Sequence, residues 1–169
     1  MKPTRESVRN NGQTYFVTFQ TSGRKPFFRH APWANLLLEV LQNYQDKFDL
    51  HDFVLMHDHV HLLITPHGTL EKSVQLIKGG YSFRAKRHFN WKDDIWQVGF
   101  TDHRIRDARD WKEHRAYIQK NIESLLTERH PFCAANANFS LTEIPHWLKP
   151  QPESISNGQT ELQPFQAAS

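Results

Sequence analysis

Residues 51–66, HDFVLMHDHVHLLITP, constrain the fold more than any other part of the chain. They read as two short strands, 52–56 and 59–65, joined by a tight turn at His57 and Asp58. Side chains on a strand alternate between its faces, so Val60, Leu62 and Ile64 point one way while His59, His61 and Leu63 point the other. Such a hairpin must bury its apolar face under other elements. The second face, with its two imidazoles, must be covered or functional.

Covering elements are legible on both sides of the hairpin. Residues 14–20, TYFVTFQ, are aromatic and β-branched and precede the Ser22-Gly23 breaker, which predicts a first strand. Pro32 suits the first turn of a helix over 32–48, where Leu37, Val40, Leu41, Tyr44 and Phe48 recur at helical spacing. From 70 to about 88, Leu70, Val74, Ile77, Tyr81 and Ala85 share one side of a second helix. Gly79 and Gly80 interrupt it; each weakens a helix by about 1 kcal/mol relative to alanine, implying a kink or the close approach of another backbone. The aromatic segment 95–100 is expected to be a fourth strand, followed by a basic loop over 101–109. Asp107 or Asp110 can cap a third helix over 110–127. This order predicts an α/β (α+β) fold, a ferredoxin-like antiparallel sheet with two helices on one face and an extra C-terminal helix.

A length of 169 residues suits one domain, expected over 1–149, with the Gln-, Ser- and Pro-rich 150–169 expected to be a disordered tail. Lys and Arg number 21 against 18 Asp and Glu, and two of those acids, Glu153 and Glu161, lie in the tail. The body is therefore more basic than the net charge of +3 and attracts polyanions. A single cysteine, Cys133, excludes an intramolecular disulfide and any multi-cysteine metal centre. The N-terminal MKPTRESVRN carries no apolar stretch, and no apolar run reaches the roughly 18 residues that a spanning helix needs, so neither export nor a membrane partner is expected.

Two histidines at i and i+2 on a strand project in parallel, and both can reach one metal ion; a solvated strand face is the plainer alternative. The third helix carries an apolar stripe of Trp111, Ile118, Ile122 and Leu125 beside a polar one of His114, Tyr117, Asn121 and Ser124. Tyr117 and Asn121, at i and i+4, share a face. A phenol oxygen and an amide oxygen can converge above the sheet if this helix crosses the histidine face; otherwise Tyr117 is an ordinary half-buried tyrosine.

Four blocks in register, HDHVHLLITP at 57–66, LIKGGYS at 76–82, WQVGFTDHRIRD at 96–107 and His-x-x-Tyr-x-x-x-Asn at 114–121, resemble the REP-associated tyrosine transposases. These are single-tyrosine HUH nucleases related to the small single-strand transposases of insertion sequences, and the resemblance covers about residues 10–130. It implies a ferredoxin-like domain in which His59, His61 and Asn121 bind Mg²⁺ or Mn²⁺ and Tyr117 is the nucleophile. The product would be a 5′-phosphotyrosine with a free 3′-OH. It also implies a single-stranded DNA stem-loop as partner. The single cysteine suits a reducing cytoplasm, where a nucleoid-associated protein is expected, and the sequence leaves monomer and homodimer both open. Two departures stand out: His57-Asp58 where family members commonly carry Pro-Asn, and Asn121-Ile122 where they carry Asn-Pro. Imidazole ligation alone suits zinc equally, so the choice of ion is implied by the resemblance and by phosphoryl chemistry.

Lys78, Arg84, Lys86 and Arg87, with Arg104, Arg106 and Arg109, are the expected DNA contacts, and Tyr81, Phe83, Trp91 and Trp96 offer stacking surfaces. His103 and His114 are further candidates to touch metal or DNA, whereas His51, His57 and His67 are read as surface histidines. Two competing functions remain: a ferredoxin-like nucleic-acid binder without nuclease activity, and a two-histidine metallohydrolase of small phosphoesters that uses a metal-bound water.

Overall fold

The computed structural model of the chain describes residues 12–128 and 141–149. The first strand, β1, is Tyr15–Gln20, and Pro32 in the first turn opens α1 at Ala31–Asn43. The hairpin strands are β2, Phe48–Leu55, and β3, His59–Pro66. They are followed by α2, Leu70–Phe89, then β4, Thr101–Arg104, then α3, Ala108–Thr127. Strand order is β2-β3-β1-β4 with every neighbouring pair antiparallel, the expected ferredoxin-like arrangement. Among the described residues, no helix is long and apolar enough to cross a membrane. Cys133 and the tail expected at 150–169 lie outside the described residues.

Alternation along the strands divides the interior in two. Val17, Phe19, Val60, Leu62 and Ile64 pack under Leu37, Val40 and Leu41 of α1 and Val74, Ile77 and Tyr81 of α2. On the opposite face Val54 and Leu63 pack with Trp111, Ile118, Ile122 and Leu125 of α3, at roughly 1.5–3 kcal/mol for each large apolar side chain fully buried. Ile122 is 3% exposed, so the residue found where the family commonly has proline is a core contact of α3.

Three boundaries differ from the sequence reading. The helix expected over 32–48 ends at Asn43, and Phe48 opens β2; Lys47 N–H donates to the Tyr44 carbonyl at 2.9 Å, closing a turn that the helical spacing of Tyr44 and Phe48 disguised. The fourth strand is not 95–100 but Thr101–Arg104, a short edge whose outward polar residues gave no apolar signal. Residues 95–100 instead form a loop tied to the end of β1: Ser22 N–H donates to Ile95 O and Gln97 N–H to Gln20 O. Asp107 caps α3 through Asp110 N–H at 2.9 Å, so that helix starts earlier than 110. Nor do the paired glycines break α2. A Cβ on Gly80 would lie 2.8 Å from the Tyr44 ring, so the close approach is by a side chain.

Register shifts between Leu50 and Asp52 in β2. This irregularity lets both His51 and Asp52 face α3: the His51 ring lies 5.2 Å from Trp111, and the Asp52 carboxylate accepts from Arg115 (3.4 Å) and Gln119 (3.3 Å). The Asp52 contacts, together with the apolar stripe, hold α3 across the histidine face.

Candidate active site

Pairing of β1 with β3 sets Thr18 opposite His61 and Gln20 opposite His59, and pairing of β1 with β4 sets His103 opposite Phe16. By alternation all six side chains share the face that α3 crosses. Phe16 is central there. Its ring stacks on His61 (centroids 5.3 Å, 19°) and meets Tyr117 edge-on at 5.8 Å and His114 at 4.8 Å. Tyr117 in turn meets His61 at 5.3 Å and 79°, and the His59 and His61 rings lie 4.8 Å apart. The condition set by the sequence, that the tyrosine helix cross the histidine face, is met.

His61 is 5% exposed. Its Nδ1 hydrogen-bonds the Thr18 hydroxyl at 2.7 Å, while its Nε2 is buried with no hydrogen-bond partner. Burial, with His59 beside it, pulls its pKa down to about 4, so the ring is neutral near pH 7. His59 Nδ1 lies 2.6 Å from Asp58 Oδ1, and Asp58 Oδ2 accepts from Arg24 Nε at 2.9 Å. A buried imidazole nitrogen without a partner costs free energy unless something binds it, and a neutral ring has the lone pair a cation requires. The donor set therefore fits a divalent ion. Tyr117 is 48% exposed, open to a large substrate. Asn121, half-buried one turn on, donates its amide nitrogen to the Tyr117 carbonyl at 2.9 Å, which leaves the amide oxygen for another partner.

His103, Asp110 and His114 also gather ligand-type atoms, all within 4.8 Å of one another. Here one nitrogen of each histidine already has a proton acceptor: Asp110 takes His103 Nε2 at 2.8 Å, and His114 Nδ1 reaches both the Asp110 carboxylate (3.1 Å) and its main-chain oxygen (2.8 Å). Asp110 also accepts Arg106 N–H at 3.0 Å. The trio ties β4 to the first turn of α3 by hydrogen bonds, unlike the orphaned nitrogen of His61.

The basic residues do not converge. Lys78 Nζ donates to Gln97 O (2.8 Å) and Gly99 O (2.7 Å) and so braces the loop after α2, a use the sequence reading missed. Arg84, Lys86 and Arg87 belong to the α2 layer, on the far side of the sheet from the imidazoles, with Arg87 over the Phe83 ring at 5.5 Å. Arg109 pairs with Glu113 at 2.8 Å. Arg104 and Arg106 are both exposed, and Arg104, opposite Tyr15 on β1, projects by alternation from the face away from the imidazoles. Of the aromatic candidates, Tyr81 and Trp96 are core residues, whereas Phe83 is 63% exposed. A cleft of about 370 Å³ lined by Pro26, Arg29, Met56, His57, Asp58 and His59 opens beside the first histidine.

Sequence reasoning missed Phe16, Thr18, Arg24 and Asp58 as parts of this site. Phe16 and Thr18 were discoverable from the alternation of TYFVTFQ once β1 is paired with β3; the Arg24 contact, 34 residues away in sequence, had no local signal.

No curated protein matches the sequence. Among solved structures, a REP-associated tyrosine transposase bound to a REP hairpin superposes with a TM-score of 0.56 at 17% identity, over 80% of this chain and 90% of that one. A candidate transposase from Deinococcus radiodurans R1 gives a TM-score of 0.49 at 24% identity, over 73% and 97%. At 17% identity the likeness to the hairpin-bound transposase is one of fold. The sequence itself matches the family described as IS200-like transposase over residues 10–121. The chain belongs to the IS200-like transposase family.

Proposed function

We propose that this transposase is a metal-dependent single-strand DNA endonuclease and strand transferase of the REP-associated type, working through a 5′-phosphotyrosine on Tyr117. The observation that carries the reading is the contact of the Tyr117 ring with His61, whose buried Nε2 has no hydrogen-bond partner. His59 and His61, with the amide oxygen of Asn121, would hold Mg²⁺ or Mn²⁺. When bound, the ion supplies positive charge that orients the scissile phosphate and offsets its developing negative charge.

The chain's own residues do the rest. The Tyr117 oxygen attacks phosphorus, forming an O–P bond as the P–O3′ bond breaks. The bonding electrons leave on O3′, which takes a proton from water and becomes a free 3′-OH; the phenol proton passes to solvent, to which this half-exposed side chain is open. Phosphodiester energy stays in the phosphotyrosine, so rejoining needs no ATP. The substrate is a single-stranded stem-loop, a reading supported by the hairpin that the structural neighbour carries. Arg106 contacts its phosphates near the cut, and Arg84, Lys86, Arg87 and Arg104 bind flanking DNA, which accounts for affinity but not for the choice of hairpin. The reading places the protein at the nucleoid.

The deciding test is incubation of labelled genomic stem-loops with the protein and Mn²⁺. A denaturation-resistant adduct that maps to the peptide containing Tyr117 supports the proposal; DNA binding without adduct supports the non-catalytic binder, and cleavage without adduct the metallohydrolase.

A further inference from the structure

The turn between β2 and β3 is fixed by main-chain acceptors. Thr21 N–H donates to the Asp58 carbonyl (2.8 Å), its hydroxyl is shared between the Lys25 (2.8 Å) and Asp58 (3.0 Å) carbonyls, Phe28 N–H donates to His57 O at 3.1 Å, and Met56 N–H to His59 O at 2.9 Å. The Asp58 carboxylate is therefore not needed for the turn. It instead takes His59 Nδ1 on one oxygen and Arg24 Nε on the other.

Arg24 is held in an uncommon conformation to do so. Its φ is +52°, directly after Gly23 at +61°, in a region that costs a residue with a Cβ roughly 1 kcal/mol. From there its guanidinium also donates to Gln20 Oε1 at 3.1 Å, and Gln20 is the β1 residue opposite His59. Arg24, itself braced by Gln20, thus pins the carboxylate that holds His59. An imidazole that donates Nδ1–H to a carboxylate keeps its lone pair on Nε2 and is the stronger ligand for it. At His61 the corresponding partner is the neutral hydroxyl of Thr18.

We propose that Asp58, clamped by Arg24, is a positioning residue of the metal centre, fixing His59 as an Nε2 donor and making it the stronger of the two imidazole ligands. The inference rests on the metal reading above and is separable from it. Mn²⁺ affinity of the full chain is measured for wild type, Asp58→Ala, Asp58→Asn and His59→Ala, and the ¹⁵N shifts of the His59 ring are recorded without metal. Asp58→Ala weakens Mn²⁺ binding about ten- to a hundredfold and shifts His59 from the Nδ1–H tautomer to a mixture. Asp58→Asn, which retains an acceptor oxygen, loses less and keeps the tautomer, so the test survives if the alanine variant folds poorly. If Asp58→Ala binds Mn²⁺ as wild type does while His59→Ala does not, the positioning role is overturned and the metal reading stands. If His59→Ala also binds as wild type, both fall together.

Discussion

Tyr117 and His61 meet edge to face across the gap between α3 and β3, ring centroids 5.3 Å apart, although 56 residues separate them in sequence. The buried Val54, Leu63, Ile118 and Ile122 clamp the helix to the sheet and fix that contact. The phenol itself stays half-exposed, so its oxygen contributes little to folding.

Replacing Tyr117 with phenylalanine removes only that oxygen. The expected outcome is a stability change below about 1 kcal/mol, unchanged binding of a single-stranded hairpin, and complete loss of the covalent adduct. Gel shift and denaturing gel on the same samples separate the two. An adduct that survives in the variant, or one that maps to Tyr81, would overturn the nucleophile assignment.

Removing the metal should reproduce the chemical defect by another route. Chelation of wild type, or His61→Ala with Mn²⁺ present, is expected to abolish cleavage while hairpin affinity falls by less than about tenfold, because the proposed phosphate contacts of the arginines do not depend on the metal. Near-normal cutting by His61→Ala would remove that histidine from the site.

Phe16 touches His61, His114 and Tyr117 at once, so its ring holds the relative orientation of the proposed nucleophile and the proposed metal ligand. Phe16→Leu keeps an apolar side chain under α3 and should cost less than the roughly 3–5 kcal/mol of truncating a fully buried phenylalanine to alanine. Its effect should fall on the cleavage rate rather than on DNA affinity, since misplacement by about 1 Å is enough to cost on the order of a hundredfold. Equal losses in both would show that Phe16 serves only the packing of the domain.

What was legible in the sequence followed from period and spacing. The alternation in β3 set the direction of His59 and His61, and the i, i+4 offset put Tyr117 and Asn121 on one helix face. β4 was misplaced because TDHR has no apolar side to bury, and its position is decided by pairing with Tyr15–Thr18. Lys78 looked like a DNA contact because sequence cannot distinguish a solvated cation from one braced by two carbonyls of a distant loop. The Arg24–Asp58–His59 chain depends on a left-handed arginine, which no propensity foretells.

His51, read from the sequence as a surface histidine, is 4% exposed and anchors the segment after residue 140 through a one-way chain of hydrogen bonds. Its Nδ1 faces two carbonyls, Thr142 O (3.1 Å) and Glu143 O (2.9 Å), so that nitrogen must donate. Nε2 then accepts from the Thr65 hydroxyl (2.7 Å), Thr65 accepts from Thr14 (2.7 Å), and Thr14 accepts from Trp147 Nε1 (3.2 Å). Protonating His51 puts a second donor at Nε2 and forces the Thr65 hydroxyl to turn round, leaving the buried Thr14 proton without an acceptor. Burial holds the His51 pKa below its ordinary value, with Arg115 adding to the effect and the Thr142 and Glu143 carbonyls and Asp49 opposing it. The unfolded chain therefore binds more protons than the folded one just below the ordinary histidine pKa near 6.5, and stability falls as pH drops through that window. His61 shifts in the same direction, and His67, raised by Asp46 and Asp49, in the opposite one. Melting curves from pH 8 to pH 5 should show a wild-type midpoint that declines, and a His51→Gln variant that starts lower but declines less. Truncation after residue 149 should leave the wild-type profile intact, whereas truncation after 140 should lower the midpoint at every pH by removing Trp147 and both carbonyls. Parallel slopes for wild type and His51→Gln would show that the chain does not sense the proton.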